Sequence, residues 1–121
     1  MSINVPIAFN IEKMTLENNA FRNVFDTSDQ MQLVFMSLLP GEDIGMEVHP
    51  HVTQFIRIED GIGIAILNGK EYNVGSGSAI FIPAGTWHNV INIGDRDLKL
   101  YSLYAPPNHP PETYEYIKNE E

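Results

Sequence analysis

Residues 77–92, which read GSAIFIPAGTWHNVIN, decide the fold of this chain. Residues 79–82 form a short apolar run that is typical of a buried strand. Pro83 ends this strand because proline has no backbone N–H to donate to a sheet ladder. Gly85 supplies a turn in which a positive φ costs little, and residues 86–93 predict a second strand. The stretch therefore predicts a strand, a turn and a strand that holds a histidine in a fixed place.

Five residues of this stretch keep the spacing Gly-x5-Pro-x-Gly-x2-His-x3-Asn. They are Gly77, Pro83, Gly85, His88 and Asn92. One interpretation is that the glycines and the proline only shape a hairpin and that His88 is an ordinary half-buried histidine. The other interpretation is that the turn presents His88 as a ligand, and the residues upstream bear on this choice.

A second group of polar residues lies upstream, in the segment Glu47-Val48-His49-Pro50-His51. Residues 47, 49 and 51 alternate, so on a strand all three side chains point to one face. Two imidazoles and a carboxylate on one face are costly to bury unless they have partners. Either this face is solvated, or it binds a ligand such as a metal ion.

Together the two segments resemble the paired signatures of the cupin superfamily, and the resemblance covers residues 41–92. The first signature is roughly Gly-x5-His-x-His-x3-or-4-Glu-x6-Gly. Its spacing is met without gaps by Gly41, Glu47, His49, Gln54 and Gly61. The chain departs from the signature because it has Glu in the first His position and Gln in the Glu position. The other register, which starts at His49 and His51, leaves only two residues before Gln54 and is too short.

The resemblance implies an all-β fold, the double-stranded β-helix or jelly-roll barrel of the cupins, with a metal site in its mouth. The implied ligands are Glu47, His49, Gln54 and His88, and His51 is either a further ligand or a residue of the rim or of the solvated surface. A set of nitrogen and oxygen donors without sulfur suits divalent Zn, Fe, Mn, Ni or Co. With one charged ligand the ion keeps positive charge, which favours Lewis-acid chemistry.

The function is open between three classes of protein. The ligand set resembles that of the metal-dependent phosphomannose isomerases, which use Gln, His, Glu and His, and this implies a sugar or sugar-phosphate isomerase or epimerase. It differs from the three-His, one-Glu set of cupin dioxygenases, although an Fe or Mn dioxygenase is an alternative. The third class is a non-catalytic barrel that binds a metal or a small molecule. No residue is identified as a general base.

The chain of 121 residues is expected to be one cupin domain, with an N-terminal arm (1–30), a core (about 31–105) and a Pro-rich tail (106–121). The arm is expected to contain a short strand. The further predicted strands are residues 31–39, 44–50, 54–58, 62–67, 71–74 and 98–104. Asn68-Gly69 is a favoured hairpin turn between two of them, and residues 112–119 predict a weak helix.

Several side chains of the predicted strands have an expected side. Phe55 is expected to point away from Gln54, towards the surface that a second chain would cover in the expected homodimer. Tyr101 and Tyr104 lie on opposite faces, so at most one of them faces the site. Trp87 and Phe81 are expected in the core or at an interface, with a platform for a substrate as the alternative. His109 in the Pro-rich segment is expected to be solvated.

The composition limits the classes of partner and the cellular locations that are expected for this protein. The net charge of −9 argues against nucleic acids and anionic membranes as partners and leaves small-molecule ligands. The chain has no apolar run of about 18 residues and no signal-like N-terminus. It has no cysteine, which excludes disulfides and thiolate ligands and fits a cytoplasmic protein.

Overall fold

The computed structural model describes residues 4–119, and within them the chain forms one short helix and nine strands. In chain order these are α1 (Ile11–Glu17), β1 (Arg22–Thr27), β2 (Gln32–Leu38), β3 (Thr53–Asp60), β4 (Ile62–Leu67), β5 (Lys70–Gly75), β6 (Ala79–Ile82), β7 (His88–Asn92), β8 (Leu98–Ala105) and β9 (Tyr114–Glu115). Over this part of the chain, no helix has the length and apolar character needed to cross a lipid bilayer.

The strands form two antiparallel sheets. The larger has the order β6-β3-β8-β2-β1-β9, and the smaller has the order β5-β4-β7. In both sheets, strands that are distant in sequence lie side by side, such as β3 with β8 and β4 with β7. This is the arrangement of a jelly roll, in which the chain passes repeatedly from one sheet to the other. The all-β prediction is therefore confirmed.

The core lies between the two sheets, and β3 illustrates how the sequence builds it. Gln54, Ile56 and Ile58 are buried, whereas Phe55 and Arg57 are partly exposed on the other face, as the period of two predicts. Each fully buried isoleucine contributes roughly 1.5–3 kcal/mol to stability. Other strands add apolar side chains to the same core, among them Val34, Met36, Leu38, Ala65, Ile80, Ile82, Val90, Leu98 and Leu100.

Strand β2 is buried along its whole length, and aromatic side chains cover part of its second face. The ring centroids of Phe25 and Phe35 are 5.3 Å apart, and those of Phe9 and Phe25 are 5.1 Å apart. The segment before α1 therefore contributes to the packing of the large sheet.

The strand, turn and strand predicted from residues 77–92 are confirmed as β6, a turn and β7. In the turn the Thr86 N–H donates to the Pro83 carbonyl oxygen at 3.2 Å. Gly85 has φ +85°, a left-handed conformation that favours glycine. Strand β7 begins at His88 rather than at residue 86. The hairpin of β4 and β5 across Asn68-Gly69 is confirmed as well.

The Asn of the spacing pattern has a structural role. The Asn92 side chain is buried, and its Nδ2 donates to the carbonyl oxygens of Leu38 and Arg96, each at 2.9 Å. Its Oδ1 accepts a hydrogen bond from the Gly94 N–H, also at 2.9 Å. Asn92 therefore ties the end of β7 to the end of β2 and to the turn before β8.

The strand predicted over residues 44–50 is wrong. Asp43 and Glu47 each form an isolated bridge to β7 instead of a continuous ladder. Between the two bridges this segment contains one residue more than β7 does, and Gly45 accommodates the extra residue with φ +98°. The Gly45 N–H donates to the side-chain oxygen of Asn89 at 3.0 Å and not to a backbone carbonyl.

The ends of the chain differ most from the sequence prediction. Helix α1 was not predicted, although Asn10 caps it by accepting a hydrogen bond from the Lys13 N–H at 2.9 Å. The helix predicted over residues 112–119 is wrong, because β9 lies there and pairs with β1. Tertiary pairing outweighs a weak local propensity. The extreme ends of the predicted arm and tail, residues 1–3 and 120–121, lie outside the described residues.

Candidate metal centre

Glu47 and His88 lie opposite each other on an antiparallel bridge. The Glu47 N–H donates to the His88 carbonyl oxygen at 2.9 Å, and the His88 N–H donates to the Glu47 carbonyl oxygen at 2.8 Å. Residues directly opposite each other in such a pair project their side chains on the same face. The backbone itself therefore brings this carboxylate and this imidazole together.

His49 joins the pair from the same segment as Glu47. Its carbonyl oxygen accepts a hydrogen bond from the Gly85 N–H at 2.8 Å, which ties it to the turn after β6. The ring centroids of His49 and His88 are 5.3 Å apart, and His49 Nε2 is 4.0 Å from Glu47 Oε1. One ligand atom from each of the three residues lies within 4.8 Å of the others, so the group could hold a metal ion.

The histidine nitrogens are arranged as ligands require. His88 Nδ1 lies 2.9 Å from the Thr86 carbonyl oxygen, which places the ring proton on Nδ1 and leaves the lone pair on Nε2. Among residues 4–119, the buried Nε2 atoms of His49 and His88 have no hydrogen-bond partner. Buried polar atoms in proteins normally have one. Two such nitrogens beside a carboxylate fit a bound cation.

Gln54 is buried on β3, and the nitrogen and the oxygen of its side-chain amide differ in their hydrogen bonding. Its Nε2 donates to Ser102 Oγ and to Tyr104 Oη, each at 3.2 Å. Its Oε1 is buried and has no hydrogen-bond partner within the described part of the chain. The amide oxygen is therefore the atom of Gln54 that is available to a cation.

Electrostatics favour the protonation states that metal binding needs. Burial lowers the pKa of His49; the charge of Glu47 acts in the opposite direction, and His88 adds to the lowering. His49 is accordingly neutral near pH 7, the form in which imidazole binds metals. Burial, reinforced by the charge of Glu47, raises the pKa of Tyr104, so its hydroxyl keeps its proton at neutral pH.

Tyr104 is the tyrosine that faces the site. It is buried and its ring centroid is 6.2 Å from that of His49, whereas Tyr101 is partly exposed on the other face of β8. The prediction that at most one of the two tyrosines faces the site is confirmed. Alternation along β8 was the signal, but it does not by itself tell which of the two points inward.

The prediction that His109 is solvated is wrong. Its ring packs edge-on against Tyr104 with centroids 5.2 Å apart, and its Nε2 is 3.4 Å from Tyr104 Oη. Burial, followed by the nearby charge of Arg22, lowers the pKa of His109 to about 4. The cause is long-range: Gln32 binds the backbone of this segment and holds it against the sheet. Nothing in the local sequence signals this contact.

His51 is exposed in the turn that precedes β3, and it is not part of the group formed by Glu47, His49 and His88. Two aromatic residues of the β6–β7 region are also on the surface, since Phe81 is 67% exposed and Trp87 is 53% exposed. This excludes the core for both and leaves the two other predicted roles, an interface or a platform for a substrate.

Residues 34–104 match the family model described as Cupin domain. The uncharacterized protein YrkC of Bacillus subtilis is 53% identical over 111 residues, a match that covers 87% of this chain. The chain spans only 60% of the length of YrkC. The crystal structure of BH2720 from Bacillus halodurans is 47% identical, with a TM-score of 0.92 over 93% of this chain and 90% of that one.

A more distant solved structure carries a functional description. It is a sugar phosphate isomerase of the cupin superfamily from Silicibacter pomeroyi, 18% identical, with a TM-score of 0.60 over 64% of this chain and 52% of that one. At this identity the likeness shows the fold alone. The family match, by contrast, extends over more than half of the chain and includes Glu47, His49 and His88. The protein therefore belongs to the cupin family.

Proposed function

We propose that this protein binds one divalent metal ion through Glu47, His49, Gln54 and His88. The observation that carries the proposal is the convergence of Glu47, His49 and His88, whose ligand atoms lie within 4.8 Å of one another. The buried Nε2 atoms of the two histidines, which have no partner among residues 4–119, support it, because a metal ion would satisfy both.

Gln54 is the fourth proposed ligand, and two features support it. Its side-chain nitrogen is engaged by Ser102 and Tyr104, and its buried oxygen has no partner among the described residues. An amide oxygen is a neutral, hard donor that suits Mn, Fe, Co, Ni or Zn alongside imidazole and carboxylate.

We further propose that the protein acts on a small oxygen-rich molecule, in the manner of a sugar or sugar-phosphate isomerase or epimerase. With Glu47 as the one anionic ligand, a bound divalent ion would polarise a carbonyl or hydroxyl oxygen as a Lewis acid. Tyr104 holds its proton near this centre, and its hydroxyl donates or accepts a hydrogen bond without ionising. The buried side chains of β3 and β8 behind Gln54 exclude water from the rear of the site.

The cytoplasm is the proposed location, because the chain has no cysteine and needs no oxidising compartment. A homodimer is the proposed assembly, and Phe81 on the outer face of the large sheet is its proposed contact. The high exposure of that ring, and its position opposite Phe55 on the neighbouring strand, support this assembly.

The activity is tested with protein loaded with Mn²⁺, Fe²⁺, Co²⁺, Ni²⁺ or Zn²⁺ and with the chelated apoprotein as control. The proposal predicts aldose–ketose interconversion or epimerisation on a panel of sugars and sugar phosphates, lost in the apoprotein and in Glu47→Ala. Metal-dependent O₂ consumption on diketones or phenols would instead identify a dioxygenase. Tight metal binding with no turnover in either assay would identify a binding protein.

A further inference from the structure

The segment after β8 is fastened against the large sheet by one buried side chain, Gln32 of β2. Gln32 Oε1 accepts hydrogen bonds from the backbone N–H groups of Asn108 and His109, at 3.1 and 2.9 Å. Its Nε2 donates to the His109 carbonyl oxygen at 2.7 Å and to Thr27 Oγ1 at 3.1 Å. With all four contacts made, the amide of Gln32 fixes the backbone of His109 in place.

This anchoring brings the His109 ring to the hydroxyl of Tyr104. His109 Nε2 lies 3.4 Å from Tyr104 Oη and 3.5 Å from Asn108 Nδ2. An amide nitrogen can only donate, so this contact favours His109 Nε2 as the acceptor, with the ring proton on Nδ1. The single lone pair of Nε2 is then shared by the two contacts, and Tyr104 Oη is the second donor.

The direction of the Tyr104 hydroxyl determines which atom of the Gln54 amide faces Tyr104. The single proton of this hydroxyl points to His109, so Tyr104 Oη can only accept a hydrogen bond from Gln54. The donor is the Gln54 amide nitrogen, which lies 3.2 Å from Tyr104 Oη. The second amide proton of Gln54 goes to Ser102 Oγ, also at 3.2 Å. Both protons on the amide nitrogen are therefore used, and the amide oxygen is turned away from Tyr104.

We propose that His109 is a positioning residue, which acts through Tyr104 to orient the Gln54 amide with its oxygen towards Glu47, His49 and His88. Without an acceptor at position 109, the Tyr104 proton could turn to the Gln54 oxygen, and the amide would reverse and present its nitrogen to the site. A reversed amide offers protons where a cation needs a lone pair. The consequence for metal affinity rests on the proposed metal site, whereas the orientation of the amide does not.

The test is a mutant cycle in the full chain, read by competition between the protein and a chelator for Co²⁺. His109→Phe keeps a ring against Tyr104 and removes the acceptor, and we expect it to weaken Co²⁺ binding about tenfold or more. In the Gln54→Glu background the two carboxylate oxygens are equivalent and need no orientation. There His109→Phe should change affinity by less than about twofold. His51→Phe, at an exposed histidine outside the group, is the matched control and should change nothing.

A purely structural role for His109 would weaken Co²⁺ binding equally in both backgrounds, and that result would overturn the proposal. A second measurement needs no metal: ¹⁵N NMR of the apoprotein at pH 7 should show His109 neutral with its proton on Nδ1. A proton on Nε2 would overturn the proposal. If the wild-type protein binds no Co²⁺, the proposed metal site is refuted. The tautomer measured by NMR then decides alone whether His109 orients the Gln54 amide through Tyr104.

Discussion

Glu47 and His88 exchange both of their backbone hydrogen bonds, at 2.9 and 2.8 Å, so each is the other's direct neighbour across the bridge. This relationship fixes the register of the first signature. It places Glu47 and His49, two residues apart, on the side of His88, and it leaves His51 in an exposed turn. The departure of this chain from the usual cupin pattern is therefore a change of residue type at a retained position.

The register predicts unequal effects of two alanine substitutions. Glu47→Ala removes the one anionic member of the proposed ligand set and should weaken metal binding by at least about 100-fold. His51→Ala should leave affinity unchanged because His51 lies outside the group. The measurement is chelator competition on both variants. If His51→Ala strips the metal and Glu47→Ala does not, the site is a cluster of histidines and the register is wrong.

Gln54 should respond to substitution less strongly than Glu47. Gln54→Ala removes a neutral oxygen, so we expect a loss of metal affinity that is smaller than the loss in Glu47→Ala. Gln54→Glu keeps an oxygen at the same place and adds a negative charge, which should tighten binding of a divalent ion. Both are measured by the same competition. Unchanged affinity in Gln54→Ala would remove Gln54 from the ligand set.

The lowered pKa of His109 predicts a pH-dependent stability in the metal-free protein. The unfolded chain binds a proton at this histidine below about pH 6.5, whereas the folded chain binds it only near pH 4. Its contribution to stability is therefore complete above pH 6.5 and is lost as the pH falls towards 4. Allowing for partial exposure of the ring, the loss between pH 7 and pH 5 should be about 1 kcal/mol.

Urea unfolding in the presence of a chelator measures this effect. The free energy of unfolding of the wild-type protein should fall between pH 7 and pH 5, and His109→Phe should remove about 1 kcal/mol of that fall. His51→Phe is the control, because His51 is exposed and its substitution should keep the wild-type slope. An identical slope in His109→Phe would show that the fold does not hold His109 as a neutral ring.

The exposed Phe81 predicts self-association through the large sheet. Phe81 is 67% exposed and lies opposite Phe55 in the β3–β6 ladder. We expect light scattering to give twice the chain mass of 13.6 kDa. Phe81→Asp should give the monomer mass, while Tyr116→Asp, at a tyrosine that is 63% exposed, should not. A wild-type mass near 13.6 kDa at every concentration would contradict the prediction.

The sequence predicts well those features that short-range rules determine. Pro83 and Gly85 specify the turn between β6 and β7, Asn68-Gly69 specifies the hairpin of β4 and β5, and alternation specifies which residues of β3 are buried. The group of Glu47, His49 and His88 could be predicted because the two spaced sequence patterns identify segments that lie together in the fold.

The features that the sequence did not predict depend on long-range contacts. His109 is partly buried against Tyr104 because Gln32, 77 residues away in the chain, binds its backbone. Strand β9 is stabilised by pairing with the edge of β1. The local sequence alone predicted a helix there. The break in the strand over residues 44–50 arises from one extra residue opposite β7, which only the register of both segments reveals.

Elemental analysis of the purified protein tests the central claim most directly. The protein should be purified without chelator, exchanged against a mixture of Mn²⁺, Fe²⁺, Co²⁺, Ni²⁺ and Zn²⁺, and freed of loosely bound ions. The account predicts one divalent ion per chain in the wild-type protein and in His51→Ala, and almost none in a folded Glu47→Ala/His88→Ala double variant. A folded wild-type protein that retains no metal, or a double variant that retains as much as the wild type, would contradict it.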